Sequence, residues 1–299
     1  MRQRSSWRVI ALAVFALLVL VAAGCGDDDD DEGNGDGAQQ AEVEQFPADT
    51  TMGRIQREGE IVIGVKFDVP PFGFRNPQSG DVEGFDIDRG REIAEALGVE
   101  PRFIEAISDN RIPFLRDGTA DLILSTMTIT AERDEEIDFS EPYYIARGRI
   151  LVREGSDIQG VDDLAGNSVC TALGSTYDET LQEQAPDADR RLVDSYSECL
   201  ELIQNEAVDA VSTDDVILTG MIVQDDTLQL VGDELTTEPY GAGLTEGDTA
   251  FKEFVDGVLA ESKQDGRWAE SYEEWVGQYT GEEQEPPTMS LEEALELTE

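Results

Sequence analysis

The chain has 299 residues, 39% of them hydrophobic, which is enough for two lobes of roughly 100–150 residues, each with its own core. Lys and Arg total 21 against 67 Asp and Glu, a net charge of −46 that repels phosphate backbones and makes nucleic acid a poor partner. Histidine is absent, which excludes Ser-His-Asp and Cys-His catalysis and His-ligated metals, and three cysteines do not make a thiolate zinc cage; no metal or cofactor is expected.

Residues 1–24 read as a secretion signal. Arg2, Arg4 and Arg8 form a positive start, and Val9 to Ala23 is almost unbroken apolar. The run stops at Ala22-Ala23-Gly24-Cys25, small residues before a cysteine, which resemble the lipobox of bacterial lipoproteins. That resemblance implies lipidation of Cys25 and an anchor on the outer face of the cell membrane; an uncleaved membrane anchor is the alternative. Residues 25–45, with an acidic run from Asp27 to Asp31, have too little apolar content for a core and are expected to be a flexible tether.

Strands and helices then alternate. Ile61-Val62-Ile63-Gly64-Val65 is a buried-strand run that Pro70-Pro71 ends. Gly84 to Asp88 opens a helix with Ile93, Ala94 and Leu97 on its buried face and Gly98 as its stop. A strand over Pro101 to Glu105, a helix from Arg111 to Leu115 and a strand over Asp121 to Leu124 complete a β-α-β-α-β unit with mostly parallel strands. The pattern restarts at the strand Ser168–Ala172, followed by a helix from Tyr177, a strand at Arg191–Val193, a helix announced by Ser195 and Glu198, and a strand at Ala210–Ser212. The stretch Asp117-Gly118-Thr119-Ala120-Asp121 is echoed by Asn205-Glu206-Ala207-Val208-Asp209. Two such lobes enclose a cleft at the carboxyl ends of their strands. Trp268, Tyr272 and Trp275 are spaced as one helix face and read as core rather than as a ligand platform. Ser290 to Glu299 makes one short acidic helix or frays. Cys170 on a strand and Cys199 on a helix are expected to form a disulfide within one lobe, the alternative being two buried thiols.

Gly84-Phe85-Asp86-Ile87-Asp88, Ser125 to Arg133 with Ile137-Asp138-Phe139-Ser140, and Pro239-Tyr240-Gly241 together resemble the extracellular solute-binding proteins of family 3, the amino-acid receptors of ABC importers. Cys170, Cys199 and Ser212-Thr213-Asp214-Asp215 are similar to the glutamate-binding branch of actinobacterial lipoproteins. The resemblance implies an α/β, two-lobed, type II periplasmic-binding-protein-like fold, each lobe a mostly parallel sheet flanked by helices, the lobes joined by two crossing strands. Lobe 1 is then expected over 46–143 and 240–282, lobe 2 over 144–239, and an acidic tail over 283–299. The expected partners are a free amino acid and a membrane permease, and a monomer is expected.

A free amino acid carries an α-carboxylate, an α-ammonium and a side chain, each needing its own partner once desolvated. The resemblance makes Arg133 the clamp of the α-carboxylate, where a guanidinium offers two parallel hydrogen bonds. Ser125, Thr126 and Thr128 on the preceding loop add contacts. A surface ion pair with Glu132 or Glu135 is the rival role for Arg133. Ser175 and Thr176 at a helix start are placed on the ligand from lobe 2, or act only as a cap. Asp214 is expected to hold the α-ammonium, with Asp215 as a one-residue alternative and Thr213 beside it.

Lys66, one of three lysines, follows the first strand directly. A cation there suits a distal carboxylate, aided by Arg111 and less by Arg75; the alternative is an ion pair with Asp68. These residues predict a receptor for an acidic amino acid, glutamate first and aspartate second, closing by hinge motion, with glutamine or another polar amino acid as the alternative. A dehydratase-like enzyme on the same fold and a sensing module are the rival classes.

Overall fold

The computed structural model describes residues 43–281 and 283–298. The secretion segment, Cys25 and the tether up to residue 42 lie outside the described residues. The last three residues of the expected tether, 43–45, lie against lobe 1, where Gln56 Nε2 donates to the Glu44 carbonyl at 2.7 Å.

Helix α1 (Thr51–Glu58) is capped by the Thr50 side chain, which accepts from Gly53 N, and is stopped by Gly59 at φ 73°. It leads into β1 (Glu60–Val65). A small antiparallel meander follows, β2 (Asp68–Val69), β3 (Gly73–Arg75) and β4 (Val82–Glu83). Next come α2 (Phe85–Leu97), β5 (Glu100–Glu105), α3 (Arg111–Arg116), β6 (Leu122–Ile123), α4 (Ala131–Asp134) and β7 (Ile137–Phe139). The chain then leaves lobe 1 along the ten-residue β8 (Tyr144–Arg153).

Lobe 2 holds β9 (Ser168–Ala172), α5 (Tyr177–Gln184), β10 (Asp189–Val193), α6 (Tyr196–Gln204), β11 (Ala210–Asp214), α7 (Asp215–Gln224) and β12 (Leu228–Val231). The chain returns through β13 (Thr237–Tyr240) to β14 (Gly243–Thr245), α8 (Thr249–Asp265), α9 (Arg267–Tyr272), a π-helical turn over Glu273–Gly277, and α10 (Gln278–Thr280).

The lobe 1 sheet has the order β5-β1-β6-β14-β7, and the lobe 2 sheet the order β10-β9-β11-β8-β12. Pairs β1–β5, β1–β6, β9–β10 and β9–β11 are parallel, as βα repeats dictate. Strand β14 inserts antiparallel between β6 and β7, so the lobe 1 sheet contains a strand that follows all of lobe 2 in sequence. Strand β8 has three partners. Tyr144 to Arg147 pair with β13, Gly148 to Val152 pair with β11, and Ile150 to Arg153 pair with β12 on the other edge. The two crossing strands are therefore one hydrogen-bonded ribbon.

The echo between the halves has a physical meaning. Asp121 Oδ2 accepts from Val62 N at 2.8 Å, and Asp209 Oδ2 accepts from Ser168 N at 2.8 Å. In each lobe a carboxylate just before or at the start of an inner strand caps the first strand of the repeat.

The aromatic face read from the spacing of Trp268 and Tyr272 is core. Their rings stack at 5.3 Å, and Tyr144 of the ribbon packs on both. Trp275, in the π turn, is partly buried against the same core, and its Nε1 donates to Asp88 Oδ2 at 2.7 Å. The Cys170–Cys199 disulfide joins β9 to α6 within lobe 2.

Of the two outcomes open for the C-terminus, the structure has the helix, α11 (Leu291–Glu296), with a Ser290–Glu293 capping box. It is no loose tail. Ala294 is fully buried against lobe 1 beside Ile112 and Phe114, and Leu291 N donates to Glu141 Oε2 at 2.7 Å. Among the described residues no helix is long and apolar enough to cross a membrane.

Candidate functional site

The lobes meet through direct contacts. Arg111 Nη2 and Arg133 Nη2, both of lobe 1, donate to the Gly174 carbonyl of lobe 2 at 3.2 and 3.1 Å. Asp68 Oδ2 accepts from Ser197 N of α6 at 3.0 Å. Two glycines permit this approach. A Cβ on Gly174, which stands at φ +74°, would lie 2.6 Å from Asp109 Cα, and one on Gly220 of α7 would collide with the Pro70 carbonyl. Between the lobes a cavity of about 540 Å³ opens onto Arg111, Arg133 and the turn Gly174-Ser175-Thr176.

Arg133 lies on α4, whose N-cap Thr130 accepts from Arg133 N. Its guanidinium is half-buried, and Nη1 donates to the Thr128 carbonyl at 2.7 Å. No ion pair with Glu132 or Glu135 forms among the described residues. Burial pulls its proton affinity down, while Glu238, Tyr196 and Asp214 pull it back up.

Arg111 lines the cavity with several of its donors already engaged. Its Nε and Nη1 donate to the carbonyls of Ser108, Ser125 and Thr126 at 3.0–3.1 Å. It is a brace that shapes the loop carrying Ser125, Thr126 and Thr128. Its burial lowers its pKa to about 9. Arg75 is away from the cleft. It stacks on Phe67 at 4.4 Å and donates to Gly80 O on an exposed meander strand.

Lys66 is 2% exposed, and its Nζ donates to Ser108 Oγ at 2.8 Å and lies 5.7 Å from the Tyr196 ring. It does not pair with Asp68, whose carboxylate is given to Ser197 N. Burial, and after it the charge of Arg111, lower the Lys66 pKa to about 7.

Asp214 ends β11 and is buried, with Tyr177 OH donating to its Oδ1 at 2.8 Å. Burial and the neighbouring Glu238 charge push its carboxyl well above the usual range. Asp215 has different partners. Its Oδ1 accepts from Arg147 N and Val216 N, so it ties the first turn of α7 to the ribbon. Thr213 is fully buried next to Asp214. Ser175 spends its hydroxyl on Ala172 O at 2.7 Å, closing its own turn, whereas Thr176 turns its hydroxyl into the cleft region, onto Glu238 Oε2 at 3.1 Å.

Glu238 was missed in the sequence. It sits on β13, is 3% exposed, and also accepts from Thr128 Oγ1 at 2.6 Å. The available signal was an acid placed in the strand Thr237-Glu238-Pro239-Tyr240 that crosses between the lobes. Tyr196 was missed as well. It is buried at the start of α6, with the Thr213 and Ser175 hydroxyls beside its own. Among the described residues no cluster of Cys, Asp and Glu is arranged to hold a metal ion.

A two-lobed α/β molecule with a charged cleft at a crossing ribbon defines a solute-binding protein. Residues 61–278 match the bacterial extracellular solute-binding proteins, family 3, and the chain belongs to that family. The ABC transporter glutamine-binding protein GlnH of Bacillus subtilis (strain 168) is 40% identical over 76% of this chain and 84% of its own. The glutamine-binding protein of Geobacillus stearothermophilus is 37% identical over 81% and 94%. The glutamate-binding protein GluB of Corynebacterium efficiens stands further off at 30%, over 74% and 80%. Among solved structures, an ancestral arginine-binding protein bound to glutamine superposes with a TM-score of 0.70 at 35% identity, covering 73% of this chain and 98% of that one. The family resemblance read from the motifs thus holds, whereas the relatives with higher identity are named for glutamine and not for glutamate.

Proposed function

We propose that the protein is the receptor of an amino-acid ABC importer and that its preferred ligand is glutamine, with glutamate second. One observation carries the receptor reading: the Arg133 guanidinium of lobe 1 lines the cavity and bonds the Gly174 carbonyl of lobe 2, the lobe whose strand β11 ends in the buried acid Asp214. That pair matches the α-carboxylate and α-ammonium of a zwitterion, and a ligand bridging it favours the closed arrangement of the lobes by differential affinity. The ribbon of β8 and β13 is the hinge on which they close.

The choice of glutamine reverses the order expected from the mere presence of a cation at Lys66. An ammonium with a pKa of about 7, already bonded to Ser108 and facing two guanidinium groups, is a weak counter-ion near neutrality. It remains a good donor to a neutral carbonyl. The names of the two glutamine-binding relatives support the same choice. The body's charge of −46 also repels an anionic ligand more than a neutral one.

Under this reading Arg133 holds the carboxylate, Asp214 the ammonium, Thr128 and Thr176 add polar contacts, and Lys66 reads the side chain. Arg111 and Ser125 act by shaping the loop. The protein works as a monomer with a membrane permease, tethered outside the cell through lipid on Cys25. Titration calorimetry with glutamine, glutamate, aspartate and arginine tests the assignment. Glutamine is expected to bind most tightly; a preference for arginine contradicts the role of Lys66. Turnover of prephenate or arogenate contradicts the receptor reading in favour of a dehydratase.

A further inference from the structure

Glu238 is a carboxylate that belongs to neither lobe. It lies on the ribbon, where Glu238 pairs with Ala146, and it is almost completely buried. Burying a carboxylate costs several kcal/mol unless donors satisfy it. Here the donors come from both sides. Thr128 Oγ1, from the lobe 1 loop, and Thr176 Oγ1, from the start of α5 in lobe 2, both bond Glu238 Oε2, at 2.6 and 3.1 Å.

Both threonine hydroxyls donate to this one carboxyl oxygen. A threonine hydroxyl has one proton. Once that proton is given to Glu238, what each threonine can still offer a ligand is a lone pair. Thr128 and Thr176 are thereby converted from ambivalent groups into acceptors. Asp214, at the end of β11, accepts from Tyr177 OH. Accepting hydroxyls suit the N–H groups of an ammonium, and they disfavour a ligand that places a carbonyl or an apolar group there.

We propose that Glu238 is a positioning residue that fixes the hydroxyl protons of Thr128 and Thr176, so that the cleft selects ligands carrying an α-ammonium. It acts through the two threonines and does not itself touch the ligand. Because one donor comes from each lobe, the same carboxylate is fully satisfied only when the lobes are together, which ties this selection to closure.

The inference rests on the amino-acid receptor reading above, and the test separates the two. Binding of glutamine and of glutaramate, which is glutamine without its α-ammonium, is measured by calorimetry and competition on the full chain and on Glu238→Gln. Both threonines bond the same oxygen, so the glutamine amide either keeps a neutral, weaker acceptor there or turns its NH2 toward them, and in both cases the hold on the hydroxyl protons loosens. Glu238→Gln is expected to lose roughly tenfold or more in glutamine affinity, the scale of a lost charge-assisted hydrogen bond, with glutaramate affinity little changed. Equal losses for both ligands, or no loss for glutamine, overturn the inference and leave the receptor reading standing. Failure of the unmutated protein to bind any amino acid overturns both. Thr176→Val supplies the second arm and decides alone if Glu238→Gln does not fold. It removes one hydroxyl at similar volume, and the same selective loss is expected on a smaller scale. Equal loss for the two ligands in Thr176→Val counts against the inference.

Discussion

Asp86 accepts a 2.9 Å hydrogen bond from the backbone N–H of Thr126, and Thr126 stands at φ +43°. A β-branched residue in that region costs on the order of 1–2 kcal/mol, so the loop that bears Thr128 is held in its shape by this carboxylate. The other oxygen of Asp86 accepts from Tyr143 OH at 2.7 Å, next to the start of the ribbon. Burial raises the Asp86 pKa to about 6. The folded state therefore binds the extra proton between the unfolded value near 4 and about 6, and this group adds stability as pH falls through that window. Asn at this position lacks that gain. Denaturant unfolding at pH 7.5 and pH 4.5 is expected to show the unmutated protein improving relative to Asp86→Asn by on the order of 2 kcal/mol at the lower pH. A pH-independent difference would show that Asp86 is not the titrating group.

The charge on Lys66 sets a second pH dependence, this one in ligand choice. With a pKa of about 7 in the fold, Lys66 is mostly charged at pH 6 and mostly neutral at pH 8. Glutamate is expected to gain on glutamine at pH 6 and lose at pH 8, by up to about tenfold per unit above the pKa. Lys66→Met should flatten the ratio. For stability the sign is the reverse of the usual gain from a paired lysine. The lowered pKa means the unfolded chain takes up more protons between pH 7 and 10.5, so this group's penalty is relieved as pH rises.

Closure should fail selectively in Gly220→Ala. The added methyl meets the Pro70 carbonyl across the lobe boundary and nothing else that forbids it, while α7 itself gains helix propensity. Glutamine affinity is expected to fall by tenfold or more, and the melting temperature without ligand should hold or rise. Unchanged affinity would mean that the lobes close less tightly than this interface requires.

The Cys170–Cys199 disulfide closes a loop with a sequence separation of 29 and links β9 to α6. Replacing both cysteines by serine should cost about 3 kcal/mol of stability by loop entropy. Urea unfolding followed with and without reductant reads this directly. A change below about 1 kcal/mol would show that the link adds little to lobe 2.

Much of this was legible in the sequence because it is local. Strand and helix periodicity, the Gly84–Asp88 and Ser125–Arg133 blocks, and the paired Asp121 and Asp209 all declare themselves within a few residues. The roles of cations were harder to read, because they depend on what folding supplies. Arg111 reads as a ligand group, and the fold commits its Nε and Nη1 to the carbonyls of Ser108, Ser125 and Thr126 while the residue still lines the cavity. Lys66 looked like a full charge and is weakened by burial. Asp214 and Asp215 are neighbours in sequence, yet only the structure shows one accepting from Tyr177 OH and the other from the backbone of Arg147 and Val216. Glu238 escaped because its partners, Thr128 and Thr176, lie 110 and 62 residues away.

A crystal structure grown with glutamine locates the ligand outright. The α-carboxylate is expected on the Arg133 guanidinium, the ammonium on Asp214, and the side-chain amide within hydrogen-bonding reach of Lys66. A guest seated away from Arg133 and Asp214, or a Lys66 turned out to bulk solvent, would contradict that placement.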